Sequence, residues 1–297
     1  MTDVLTVDAV SRSFGDRQVL KDVTFDVVAG RMTGFVGANG AGKTTTMRIM
    51  LGVLAPDSGT VTWRGAPLDR PTRRRFGYMP EERGLYPKMG IAEQIVYLGQ
   101  LHGLSRGDAQ VRTTALLERL GLAERAGEHV EKLSLGNQQR VQVAAALVHD
   151  PDVLVLDEPF SGLDPLAVDT MVAVLRERTA AGVPVLFSSH QLELVERLCD
   201  DLVIIADSAI RAAGSRAALR DSYTLPRYAI EVADDAGWLR DVPGVTIVSL
   251  DGPRAVFDLS ASVEDQAVLR AALDRGPVRS FGPVRPSLSE IFREVIQ

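Results

Sequence analysis

The chain has 297 residues, 45% of them apolar and 24% charged, enough to bury a large core in one main domain with a smaller second one. Its formal net charge of -6 argues against a surface built generally for nucleic acid, and the single cysteine, Cys199, excludes a disulfide framework or a cysteine metal cluster. No stretch approaches the ~18 to 20 apolar residues of a membrane helix, and the N-terminus lacks a secretion-signal pattern, so a cytoplasmic chain is expected.

Residues 1–30 alternate in the manner of strands and predict a small antiparallel sheet. Met32 to Val36 then reads as a short buried strand, followed by Gly37-Ala38-Asn39-Gly40-Ala41-Gly42-Lys43-Thr44. Glycine, four residues, Gly-Lys and a hydroxyl residue is the pattern of a phosphate-binding loop. Its glycines let consecutive backbone N–H groups curl around phosphates where a Cβ would block the approach. Lys43 is placed to reach the β and γ oxygens, and the Thr44 hydroxyl to ligate Mg²⁺. Thr44 to Leu51, with Thr45 counted in the same nucleotide-binding run, reads as a helix whose N-terminus faces the anion.

Arg73-Arg74-Arg75 is the densest cationic run and reads as a solvated edge. Ile91 to Val130 is helical in pattern, with Ile91, Ile95 and Leu98 on one face and Val111, Leu116, Leu117 and Leu120 on another. Ser134 precedes a long helical pattern through Val141, Ala145 and Leu147, so its hydroxyl and the nearby N–H groups form an anion site or an ordinary helix cap. Val153-Leu154-Val155-Leu156-Asp157-Glu158 is a buried strand ending in two carboxylates. Residues there lie in the crevice where doubly wound sheets bind ligands. Asp157 is placed to hold the metal, and Glu158 to orient or deprotonate the attacking water. His190 follows another apolar strand, Val183 to Phe187, where an imidazole can stabilise charge on a transferring phosphate. His102, His129 and His149 show no ligand spacing and read as structural or solvent-facing, and Cys199 as a packing residue.

After Leu219 the pattern changes. Tyr228 to Val232, Val245 to Leu250, Arg254 to Leu259 and Val278 to Gly282 read as strands, Val263 to Leu273 as a helix, with a short helix near Ala236. This predicts a β-α-β-β-α-β unit of ferredoxin-like type. Pro286-Ser287-Leu288-Ser289-Glu290-Ile291-Phe292 carries the signals of a terminal helix.

With both phosphate motifs placed, about the first 220 residues resemble the ATP-binding subunit of ABC transporters. Leu133-Ser134-Leu135-Gly136-Asn137-Gln138-Gln139-Arg140 is similar to the signature that separates this family from other P-loop ATPases. Ser161-Gly162-Leu163-Asp164 resembles the D-loop, Phe187-Ser188-Ser189-His190 the switch-histidine segment, and Phe14 stands where the family places an aromatic on adenine. The resemblance implies an α/β fold: a P-loop ABC ATPase domain over 1–220, with a mixed sheet core and a helical subdomain at about 82–150, and a small ferredoxin-like α+β domain over 221–297. It also implies ATP and Mg²⁺ as ligands, and a second ATPase subunit clamping two ATPs head to tail. Ser134, Leu135, Gly136 and Asn137 would then act on the partner's nucleotide, and Asp164 near the partner's P-loop.

Two departures stand out. Glu81 takes the place of the glutamine common after Tyr-hydrophobic-Pro, which keeps an oxygen ligand for Mg²⁺ but adds charge beside the phosphates. Leu135 and Asn137 replace the usual glycine and glutamine. Both occur together in an exporter branch similar to sodium-efflux and antibiotic-resistance subunits. The resemblance therefore predicts an ATPase at the cytoplasmic face of the bacterial membrane, powering a separate permease that docks near Glu81 to Pro87, with Tyr86 and Pro87 in the groove. No nucleic-acid partner is expected. A soluble ABC ATPase that remodels ribosomes or DNA is the alternative class, disfavoured by the single cassette and the absence of heptads. An importer ATPase is the other, for which the loop and signature variants are atypical.

Overall fold

The structure, a computed structural model, describes residues 3–82, 84–222, 227–260, 262–284 and 290–292. The N-terminal alternation becomes a hairpin of β1 (Val4–Phe14) and β2 (Arg17–Val28), whose inner face buries Leu5, Val7 and Val10 against Leu20, Val23, Phe25 and Val27. A buried strand, β3 (Met32–Val36), and the first helix, α1 (Lys43–Met50), come next. Then β4 (Ser58–Trp63) and β5 (Ala66–Pro67) complete the antiparallel sheet in the order β2-β1-β4-β5.

A short α2 (Arg70–Arg73) leads into β6 (Phe76–Met79) and a helical segment of α3 (Ile91–Leu101), α4 (Arg106–Arg119) and α5 (Leu135–Leu147). One expectation fails in α4. Val111 is 72% exposed, and the buried stripe runs through Ala109, Thr113, Leu116 and Leu117. At about 100° per residue, Val111 lies some 200° from Ala109, on the opposite side of the helix.

The chain continues as β7 (Val153–Leu156), α6 (Pro165–Ala180), β8 (Val185–Ser189), α7 (Leu192–Leu198), β9 (Asp201–Ala206), β10 (Ala209–Ser215) and α8 (Arg216–Ser222). The second sheet has the order β10-β9-β3-β8-β7-β6, parallel throughout except for β10. Every residue of β3, β7 and β8 is buried, as continuous apolar strands of a parallel sheet require. Since β8 pairs with both β3 and β7, the carboxyl ends leading into Gly37, His190 and Asp157 are neighbours. Among the described residues no helix is long and apolar enough to cross a membrane.

The chain separates into two compact units after Arg216. The second holds β11 (Arg227–Val232), a 3₁₀ turn at Gly237–Asp241, β12 (Val245–Asp251), β13 (Arg254–Leu259), α9 (Asp265–Leu273) and β14 (Val278–Pro283). Its antiparallel sheet has the order β12-β13-β11-β14, the strand arrangement of a β-α-β-β-α-β unit with the first helix reduced to a 3₁₀ turn. Ile230, Phe257 and Leu259 pack there against Val268 and Ala272. Of the expected terminal helix, 285–289 lie outside the described residues and 290–292 are helical.

Candidate functional site

Gly37 to Thr44 wrap one wall of a cleft of about 440 Å³. Two of the glycines are required by space, and Gly42 by conformation as well. A Cβ on Gly37 would meet the Ile205 carbonyl at 2.5 Å, and one on Gly42, whose φ is 110°, would meet Leu20 Cδ2 at 2.5 Å. Gly42 caps α1 without a side-chain partner, so the helix's first N–H groups face the cleft. Lys43 is 7% exposed and donates to the carbonyls of Gly37 at 2.7 Å and Ala38 at 3.2 Å, which folds its ammonium over the loop. Asn39, Gly40, Thr44 and Thr45 also line the cleft, whereas Gly37, Ala38 and Ala41 belong to the loop without lining it.

The opposite wall carries acid. Asp157 is 1% exposed and takes a hydrogen bond from Ser188 on Oδ1 at 2.6 Å, while its Oδ2 is buried with no partner. Glu158 is buried at a φ of 50°, a left-handed conformation that costs a non-glycine residue on the order of 1 kcal/mol. Its Oε2 lies 3.0 Å from His190 Nδ1. An ionised carboxylate only accepts, so Nδ1 carries the proton of that pair. Tyr78 stands behind, its phenol raised above the ordinary value by burial first and the Asp157 charge second, and so protonated at neutral pH. Glu81 is exposed and lines the same cleft as Thr44 and Asp157.

Phe14 is 49% exposed at the mouth, one face under the Arg12 guanidinium at 4.9 Å from the ring centroid. Arg12 is itself held at 2.5 Å by Asp57, which also accepts from Ser13 N at 2.7 Å. Ser134, Leu135, Gly136 and Asn137 are not brought to this cleft. Ser134 caps α5 loosely, accepting from Asn137 N at 3.4 Å, Leu135 is 56% exposed, and Gly136 abuts Leu163 of the Ser161 to Asp164 turn. Asp164 caps α6, accepting from Ala167 N at 2.8 Å with Pro165 in the first turn.

Comparison with known proteins decides the family. An ABC transporter family pattern matches residues 20–161, and a pattern for the C-terminal domain of ATP-binding proteins like DrrA1-3 matches residues 214–296. The ABC transporter ATP-binding protein YhaQ of Bacillus subtilis is 36% identical over 99% of this chain and 98% of its own. This chain belongs to the ATP-binding proteins of ABC transporters. Similar relatives include the linearmycin resistance ATP-binding protein LnrL of B. subtilis, 33% identical over 72% of this chain and 70% of its own, and the Nod factor export ATP-binding protein I of Burkholderia lata, 41% identical over 72% and 71%. A solved ATP-binding subunit of an ABC transporter superposes with a TM-score of 0.69 at 34% identity, over 74% of this chain and 93% of that one.

The chain is thus an ABC ATPase with a DrrA-like second domain, and its fold is the one expected. Two residues of this ABC ATPase that sequence reasoning left unassigned touch the acidic pair. Ser188, fully buried, bridges Asp157 Oδ1 and the Glu158 N–H, and Gln139, 4% exposed, donates to the Glu158 carbonyl at 2.9 Å. Both stand inside motifs already recognised, yet nothing in the local pattern says which way they face. His102 and His149 also turn out to be a pair, their rings stacked at 3.7 Å.

Proposed function

We propose that this ABC ATPase powers a separate membrane permease that exports a drug, ion or other small molecule, working as one of two ATPase subunits at the cytoplasmic face of the membrane. The donor set fits Mg²⁺: the buried, unpartnered Asp157 Oδ2 faces a cleft that Thr44 and Glu81 also line, and Mg²⁺ takes few protein ligands beside substrate phosphates. When bound, the ion neutralises charge on the phosphates. Lys43 and the N–H groups of the loop hold the nucleotide, with Phe14 against adenine. Glu158 orients and deprotonates the attacking water. His190, its Nδ1 proton engaged by Glu158, donates to phosphate through Nε2 only as the imidazolium.

Action in trans by Ser134 to Asn137 is supported by their exclusion from the chain's own cleft and by the exposure of Leu135. The observation that carries the permease reading lies beside Glu81. Gln94, fully buried, accepts from the Tyr86 N–H and donates to the Tyr86 carbonyl through its one amide, leaving the Tyr86 ring 56% exposed and 6.4 Å from that of Tyr97. Leu101 extends this apolar patch, and a cavity of about 310 Å³ opens next to it between Pro80, Leu85 and Leu98. Exposed patches of this kind mark interaction sites. Relatives named for resistance and export support the direction of transport.

Glu158→Gln tests the chemistry. It keeps the size of the side chain but removes the base, so ATP binding should persist while turnover falls by about a hundredfold or more. Near-normal hydrolysis would refute the assignment. Co-purification with a membrane protein encoded beside this chain tests the partner, with Tyr97→Asp expected to lose the permease and keep basal ATPase activity.

A further inference from the structure

Both backbone groups of Glu158, its N–H and its C=O, are held by side chains with no assigned role. A backbone N–H only donates, so Ser188 Oγ accepts from Glu158 N at 2.8 Å and its own proton goes to Asp157 Oδ1 at 2.6 Å. One hydroxyl, fully buried in β8, thereby fixes which oxygen of Asp157 is left free and holds the Glu158 peptide in its left-handed turn. On the other side Gln139, buried on α5, donates to the Glu158 carbonyl. Gln139 lies five residues beyond Ser134 on a helix of 13 residues that Ser134 caps. A rigid helix carries a displacement of its first turn to its second.

We infer that Ser188 and Gln139 are positioning residues for the acidic pair, and that Gln139 ties Glu158 to whatever the Ser134 end of α5 touches. The inference rests on the reading of Glu158 as the base and of Ser134 as acting on a partner's nucleotide. Without the Ser188 hydroxyl, Asp157 loses the donor to its Oδ1 and the Glu158 N–H loses the side-chain acceptor it has among the described residues. Without the Gln139 amide, Glu158 keeps its turn but loses its connection to α5. The two contacts predict different signatures. Ser188 holds the Asp157 carboxylate and the Glu158 N–H, and Gln139 the Glu158 carbonyl alone.

Ser188→Ala and Gln139→Met should each lower kcat by about tenfold to a hundredfold while the KM for ATP moves by less than about threefold. Ser188→Thr, which keeps the hydroxyl, should recover most of the rate. A loss of folded protein would also lower kcat, so the same substitutions are repeated in the Glu158→Gln background. There the effect of Gln139→Met should vanish, because it acts through a base that is no longer present. Mn²⁺ titration of the ADP-loaded protein, followed by electron paramagnetic resonance, adds a readout apart from turnover. Ser188→Ala should weaken Mn²⁺ several-fold, and Gln139→Met should leave it unchanged.

Turnover within about twofold of normal in either single variant would overturn the inference. So would a Gln139→Met loss that persists undiminished in the Glu158→Gln protein. If Glu158→Gln alone retained full turnover, the base reading would fall, and the Mn²⁺ titration would then judge the clamp: unaltered affinity in Ser188→Ala refutes it, and weakened affinity sustains its hold on Asp157.

Discussion

A carboxylate at position 81 puts a third negative charge on a cleft that already holds Asp157 and Glu158. Each added anion weakens the pull on a polyphosphate, and a cation is the natural counterweight. Glu81→Gln should therefore leave ATPase activity within about tenfold, a change of about 1.4 kcal/mol in barrier. Glu81→Ala should lower it further and shift the Mg²⁺ dependence to higher concentration. Unchanged Mg²⁺ dependence in the alanine variant would reduce Glu81 to a solvated loop residue. The contrast with Ser188 is instructive. Glu81, Asp157 and Glu158 are legible because each stands next to a motif, whereas Ser188 meets Asp157 only because β7 and β8 pair in register, with Leu156 opposite Phe187. A serine at the end of an apolar strand carries no mark of the partner across the sheet.

The segment that follows α5 and the end of α3 meet the chain around β6 through histidine chemistry that periodicity does not reveal. His149 sits against the Phe76 carbonyl at 3.3 Å and under the His102 ring, and His102 contacts the Arg74 carbonyl at 2.9 Å. Burial first, and the neighbouring His102 second, push His149 down from 6.5 to about 4. The unfolded chain then binds a proton between these values that the folded chain refuses. Stability is fully present above about pH 6.5, falls as the pH drops, and levels off below about 4, with a total loss on the order of 3 kcal/mol. Chemical denaturation of the native protein and of His149→Phe between pH 7.5 and 4.5 checks this. The stability of the native protein relative to the variant should fall as the pH falls, because the phenyl ring keeps the stack and has no proton to take up on unfolding. A pH-independent difference would place the acid sensitivity elsewhere. Val111 teaches the same lesson about elements: its apolar side chain suggested a buried face, and the packing of α4 through Ala109, Leu116 and Leu117 left it in solvent.

For the complete ATPase the decisive experiment is a mixture. Ser134→Arg and Lys43→Ala each disable a different part of a site, and if Ser134 acts on a partner's nucleotide, a dimer of one with the other has one site carrying both defects and one carrying neither. Partial recovery of ATPase activity on mixing two inactive variants is the expected outcome. Equal loss of ATP affinity in the two isolated monomers would instead assign Ser134 to its own chain's cleft. The residues along the chain were enough to give the phosphate loop, the acidic strand end, the helix that follows Ser134 and the alternating strands of the second unit. Each of those is a local pattern of backbone freedom, burial period or capping within about a dozen residues. Strand order, the buried bridge of Ser188 and Gln139 onto Glu158, the stacked histidines and the free oxygen of Asp157 depend on pairing between segments distant in sequence. Such contacts follow from how sheets and helices pack, and no single segment encodes the partner that the packing supplies.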